Sequence, residues 1–203
     1  VRLGVLGGTF NPPHLGHLLC ASEAADQLGL GRVLLVPVNE PPHKEVPDDP
    51  GPEVRAGLCD VAVAGDDRLG VSRIELERGG RSYTVDTLRA LRDAHPGVEI
   101  WFIVGGDMAM SLPTWREPAE ILRLARLAVA ERSGAVRRDI ADRLRSELPG
   151  AQERIDFFAM PRVDVSSSEI RRRVSEGRGT RYLAPDAVCE RVDALGLYRG
   201  GRT

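Results

Sequence analysis

The stretch Gly7-Gly8-Thr9-Phe10-Asn11-Pro12-Pro13-His14-Leu15-Gly16-His17 decides how the rest of the chain is read. Before it, residues 2–6 have the short apolar run of a first strand. After it, Leu15 opens a helical pattern that lasts to Leu28. Gly7 and Gly8 tolerate positive φ and let backbone approach a phosphate closely, while Pro12 and Pro13 stiffen the turn. His14 and His17 stand three residues apart at the helix entrance, so both rings fall on one face. The free N–H groups and partial positive charge of a helix N-terminus favour bound anions there. The segment is no dinucleotide fingerprint, because it lacks G-x-G-x-x-G and such a fingerprint has no use for the histidines. His14, His17 and Cys20 recur at a spacing of three, but no further His or Cys lies close by to complete a zinc site, and no protein-held metal is expected.

Outward from this segment, short β-rich runs alternate with helical patterns. Strands are predicted at 2–6, 32–38, 69–76, 99–104, 127–131 and 155–159, and helices at 15–28, 53–64, 85–94, 118–124 and 137–148. Two further helices, 167–176 and 185–195, close the chain. This order predicts an α/β fold with a doubly wound parallel sheet. Residues 1–203 read as one domain, with a small helical C-terminal end from about residue 160. In such sheets ligands bind beyond the carboxyl ends of the strands. The glycine and polar clusters fall there: 7–17 after the first strand, 39–44 after the second, and Gly105-Gly106-Asp107 after the fourth.

Composition narrows the partners. Of 203 residues, 42% are hydrophobic and 29% charged, and the formal net charge is −2. That balance gives no general attraction to nucleic acid or to an anionic membrane, so an anion site must be local. No apolar run approaches the ~20 residues of a membrane span, and the chain runs straight into a strand without a signal-peptide pattern. Cys20, Cys59 and Cys189 form no C-x-x-C pair and read as small buried hydrophobes of a reducing compartment. A cytoplasmic protein is the expectation, with self-association left open. Among 28 basic residues Lys44 is the only lysine, as though a compact ammonium were needed where a guanidinium fork does not serve.

The segment ending His14-Leu15-Gly16-His17 resembles the H-x-G-H signature of the nucleotidyltransferase superfamily. Val165-Ser166-Ser167-Ser168-Glu169-Ile170-Arg171 resembles that superfamily's second signature, with Ser168 in place of the usual Thr. By itself the serine run would be a helix cap. Paired with the first signature, its hydroxyls, amides and Arg171 suit a triphosphate. The middle of the chain resembles the bacterial nicotinate mononucleotide adenylyltransferases over nearly its whole length. The pieces are Pro41-Pro42-His43-Lys44, Ser82-Tyr83-Thr84-Val85-Asp86-Thr87, Pro113-Thr114-Trp115 after Gly105-Gly106-Asp107, and Arg132-Ser133-Gly134.

That resemblance implies a Rossmann-like nucleotidyltransferase fold and a site for two substrates, ATP and nicotinate mononucleotide. His14, His17 and Arg171 would be catalytic, with His17 nearest the transferred phosphate and its positive end toward the phosphate oxygens. Gly7, Gly8, Thr9, Phe10, Arg132, Ser167 and Ser168 would complete the ATP side. Asn11, Lys44, Thr84, Gly106, Asp107, Trp115 and Arg116 would take the mononucleotide: Lys44 its phosphate, Gly106 and Asp107 a ribose, Trp115 the pyridine ring. Thr84 and the amides near Trp115 and Arg116 would receive the carboxylate. Arg172 and Arg173 splay away from Arg171 and are expected to face outward.

A phosphate monoester is largely dianionic at neutral pH, having a second pKa near ~6, so attack on the α-phosphorus needs no general base. Mg²⁺ is expected on the triphosphate, since it keeps several waters and needs few protein ligands. Two other functions stay open from the sequence: an adenylyltransferase that prefers nicotinamide mononucleotide, and a nucleotide sensor that has lost turnover.

Overall fold

A computed structural model describes residues 1–42, 45–131 and 135–200, with backbone alone at 135 and 136. In chain order the elements are β1 (Arg2–Gly8), α1 (Leu15–Leu28), β2 (Arg32–Pro37), α2 (Pro52–Val63), β3 (Leu69–Val71), α3 (Ile74–Arg78), α4 (Thr84–Ala94) and β4 (Glu99–Gly105). Then follow α5 (Gly106–Ser111), α6 (Pro118–Leu124), β5 (Arg126–Glu131), α7 (Ala135–Glu147), β6 (Ile155–Ala159), α8 (Ser167–Ser175) and α9 (Asp186–Ala194).

The six strands form one parallel sheet in the order β3-β2-β1-β4-β5-β6. Strand alternation sorts the core onto both faces. Leu3 and Val5 of β1 join Val85, Leu88 and Leu91 of α4, Ile121 of α6 and Leu144 of α7. Leu6 joins Cys20, Ala21, Ala24 and Ala25 of α1 and Cys59 of α2 on the other face. The alanines let α1 lie close, and Gly4 completes the fit: a Cβ there would stand 2.8 Å from Leu30 Cδ1 and Val33 Cγ2. Strand order reverses between β1 and β4, so the loops leaving their carboxyl ends diverge and open a crevice. Among the described residues no helix is long and apolar enough to cross a membrane.

The C-terminal helices do not lie on the sheet. Ile170 of α8 and Val188 and Val192 of α9 pack with Leu58 of α2 and with Tyr198. This swings the start of α8 over the crevice.

Two elements differ from expectation. The strand predicted at 69–76 stops at Val71, and α3 follows. In the run Val71-Ser72-Arg73-Ile74-Glu75-Leu76 the apolar positions are 71, 74 and 76, so the two-residue alternation breaks at Arg73, and so short a window cannot separate the two periods. The helical turn points Glu75 inward, where the Thr87 hydroxyl donates to its Oε1 at 2.6 Å. Helix α5 has no predicted counterpart: it opens on glycine, and Ala109 is its one buried residue, so it shows no apolar stripe.

Candidate active site

His14 is the N-cap of α1, and the two histidines cap the helix reciprocally. The Gly16 amide donates to His14 Nδ1, and the His14 amide donates to His17 Nδ1, each at 3.2 Å. Their rings lie 3.7 Å apart, and the edge of the His17 ring meets Phe10 with centroids 4.9 Å apart. Phe10 is fully buried at φ 50°, a conformation uncommon for an L-residue. Its ring fills the space a side chain would need at Gly8, where a Cβ would come within 3.0 Å of it. Burial lowers the His14 pKa to about 4, and burial together with the neighbouring His14 lowers that of His17 to about 3. Both rings are therefore neutral in the ligand-free protein, and the positive end expected of His17 is an N–H dipole. With both Nδ1 atoms accepting, each neutral ring holds its proton on Nε2 and can donate from there.

The second signature closes onto this loop. Ser166 caps α8 by accepting from the Glu169 amide at 3.1 Å, which frees Ser167 and Ser168. Ser167 Oγ donates to the Pro12 carbonyl, and Arg171 Nη1 to the Asn11 carbonyl, both at 2.8 Å. Arg171 also reaches Ser168 Oγ at 3.3 Å and lies 3.8 Å from Asp48. Arg172 and Arg173 are held on the outer face by Glu169, and Arg172 by Glu176 as well.

Asn11 departs from the expected role at the second substrate. Its side chain is buried, Nδ2 donates to the Pro47 carbonyl at 2.8 Å, and Oδ1 accepts from Tyr198 at 2.6 Å. It braces the loop from within. Arg55, also fully buried, does the same from α2: it donates to the carbonyls of Thr9 (2.9 Å), Val38 (2.7 Å) and Asn39 (3.2 Å) and to Asp49 (2.8 Å).

Beside the glycine loop lies a cavity of about 410 Å³. Gly7, Gly8 and Thr9 line it at one side, with Tyr83, Thr84 and Thr87 of the α4 entrance and Trp115 and Arg116 among its other walls. No side chain caps α4 at Tyr83, and the Asp86 amide closes onto the Tyr83 carbonyl at 3.1 Å, so the Thr84 and Val85 amides are the ones left without an acceptor among the described residues. Trp115 is fixed by its Nε1–H, which donates to Ser111 Oγ at 3.0 Å, and by an edge contact with Phe102. Its backbone N–H is not available as expected, since it closes a turn onto the Leu112 carbonyl at 3.0 Å. The Arg116 guanidinium stacks over Tyr83 and reaches Asp86 at 3.6 Å.

Gly106 and Asp107 open α5 at the β4 carboxyl end; Asp107 is exposed and outside the cavity wall. Lys44 and Arg132, with His43, Ser133 and Gly134, lie outside the described residues. Sequence reasoning missed Glu75, Arg55 and Tyr198. Glu75 was hidden in an apparent strand, and nothing in a single sequence marks Arg55 on the buried side of α2. Tyr198 follows α9, where nothing in the sequence signals its contact with Asn11.

A parallel sheet with this order, carrying a histidine-capped helix and a serine–arginine clamp at its crevice, defines a nucleotidyltransferase fold. The Cytidylyltransferase-like family matches residues 5–173, and the chain belongs to that family. The particular branch comes from whole-chain relatives. A Thermus thermophilus protein is 44% identical over 98% of this chain and 100% of its own. One from Pelobacter propionicus is 40% identical over 98% of both. Each bears the name "Probable nicotinate-nucleotide adenylyltransferase". The fold is also that of the Plasmodium falciparum nicotinic acid mononucleotide adenylyltransferase solved with NaAD. That structure is 14% identical, with a TM-score of 0.76, over 100% of this chain and 99% of the other.

Proposed function

We propose that the chain is a nicotinate-nucleotide adenylyltransferase, which joins nicotinate mononucleotide to the AMP part of ATP. The observation that carries this reading is the cavity itself. It runs from the Gly7–Thr9 loop to Trp115 and the uncapped start of α4, so a base seated there sends its ribose phosphate toward the histidine-capped helix.

A mononucleotide phosphate oxygen attacks the α-phosphorus of ATP; the new P–O bond forms as the α–β bridging bond breaks, and pyrophosphate leaves with the electron pair. The dianionic nucleophile needs no base, and the protein's work is to align two polyanions and neutralise growing charge. His14 and His17 donate from Nε2 to phosphate oxygens, and Arg171 and the start of α8 hold the β- and γ-phosphates with Ser168. Lys44 takes the mononucleotide phosphate and Arg132 the ATP side, while Gly106 and Asp107 face a ribose. Thr84, the first amides of α4 and the Arg116 amide receive the carboxylate. The Arg116 amide has no protein acceptor among the described residues.

Among the described residues no three His, Cys, Asp or Glu side chains converge on a metal. Mg²⁺ would come with the triphosphate and offset its charge. The three free thiols suit a reducing cytoplasm. Incubation with ATP, Mg²⁺ and nicotinate mononucleotide should give nicotinate adenine dinucleotide and pyrophosphate in equal amounts. Binding of both substrates without either product would reject the proposal in favour of a sensor.

A further inference from the structure

Three side-chain polar atoms among the described residues are buried without a hydrogen-bond partner, Glu75 Oε2, Arg143 Nε and Arg171 Nε, and of these residues only Glu75 lines the cavity. Glu75 is 5% exposed, and its Oε1 is held by Thr87 Oγ1. Among the described residues no cation pairs with it within 4 Å; Arg78 approaches only as far as the Thr87 hydroxyl, at 3.3 and 3.4 Å. A buried carboxylate with one free oxygen is costly unless something compensates it. Glu75 is one of the residues lining a cavity whose aromatic walls are Tyr83, Phe102 and Trp115.

A base N-linked to ribose through a pyridine nitrogen is a quaternary cation, with no N–H to donate. Such a ring is satisfied by the face of an aromatic ring and by a through-space negative charge, and the walls of this cavity include one of each. We propose that Glu75 is a specificity-determining residue that recognises the positive charge of the pyridinium ring. It rests on reading this cavity as the base pocket. Glu75 then selects the class of base, cationic over neutral, whatever the ring substituent. Choice between carboxylate and amide is left to the α4 entrance and Arg116. Attraction in a water-poor cavity is stronger than in bulk solvent, and the Thr87 bond fixes the carboxylate in place.

The test uses two acceptors of the same shape: nicotinate mononucleotide, and the C-riboside 5′-phosphate of benzoate, whose ring is neutral. The native protein should favour the cationic ring at least tenfold in kcat/KM. Glu75→Gln keeps the volume and can still accept from Thr87, and it should bring that preference to within about threefold while the KM for ATP stays unchanged. Glu75→Leu should collapse the ratio equally. A merely structural role would lower both acceptors together and leave the ratio intact. An intact ratio in either variant, or no preference in the native protein, would overturn the proposal. Trp115→Ala separates the two ideas. If it leaves the KM of both acceptors unchanged, the base pocket reading fails along with Glu75. If it raises both while Glu75→Gln leaves the ratio alone, only the Glu75 assignment fails.

Discussion

Tyr198 donates its hydroxyl to Asn11 Oδ1 at 2.6 Å, joining the end of the chain to the phosphate loop across 187 positions. The same Asn11 donates to the Pro47 carbonyl, so one buried amide ties three distant segments together. Tyr198→Phe leaves Asn11 Oδ1 buried without a donor. The expected cost is about 1–3 kcal/mol of stability, read as a lower urea midpoint, with a higher KM for ATP because the loop loosens. A variant with native midpoint and native KM would show that the link is idle.

The two histidines make a pH prediction. Their folded pKa values, about 4 and about 3, lie below the ordinary 6.5. The unfolded chain therefore binds more protons, so this stability is present above pH 6.5 and drains away as pH falls toward 4 and 3. A triphosphate beside the rings pushes their pKa values back up, so ATP binding at pH 5 should take up protons. Calorimetry in buffers of different ionisation heat checks this. No uptake at pH 5 would place the phosphates away from the rings.

Much of the fold is legible in the alternation of apolar periods. The bounds of α1, α6 and β6 fall where the sequence places them, because clear caps or prolines punctuate them. The third strand is shorter than the sequence suggests because a window with apolar residues at 71, 74 and 76 is too short to separate the two periods, and an inward glutamate looks like an outward one. The two signatures identify His14, His17, Ser167 and Arg171, which the fold does gather at one crevice. What the sequence hides is which polar groups are already occupied. Asn11 and the Trp115 amide looked available and are engaged within the protein. Arg55 carries no signal in the sequence and is wholly enclosed. Such facts depend on contacts between segments far apart in the chain.

His17→Asn should reduce kcat with little change in either KM. Its Nε2–H is placed for oxygens whose charge grows in the transition state, and such a donor is worth ~2–4 kcal/mol, or roughly 30- to 1,000-fold in rate. Steady-state rates at saturating ATP and mononucleotide check it. Near-native turnover would remove His17 from the chemistry.

Under the proposed function, Asp48 would compete with phosphate for Arg171. The carboxylate is mostly exposed and 3.8 Å away, so the pair is weak. Asp48→Asn should lower the KM for ATP about two- to fivefold, the equivalent of ~0.5–1 kcal/mol, and leave kcat unchanged. An unchanged or raised KM would mean that Arg171 needs Asp48 to hold its pose.

The central claim is that the α4 entrance and the Arg116 amide select a carboxylate. Apart from the Thr84 hydroxyl, which can also accept, these groups are backbone N–H donors; a carboxylate accepts at both oxygens, whereas an amide turns its NH₂ against a donor. Trp115 stacks on either ring and gives little choice. The most direct measurement is kcat/KM for nicotinate and nicotinamide mononucleotides as competing substrates of the native protein at fixed ATP. A preference for nicotinate of at least about 100-fold is expected, the cost of a buried mismatched donor and lost charge-assisted bonds. Equal values, or a preference for nicotinamide, would contradict it.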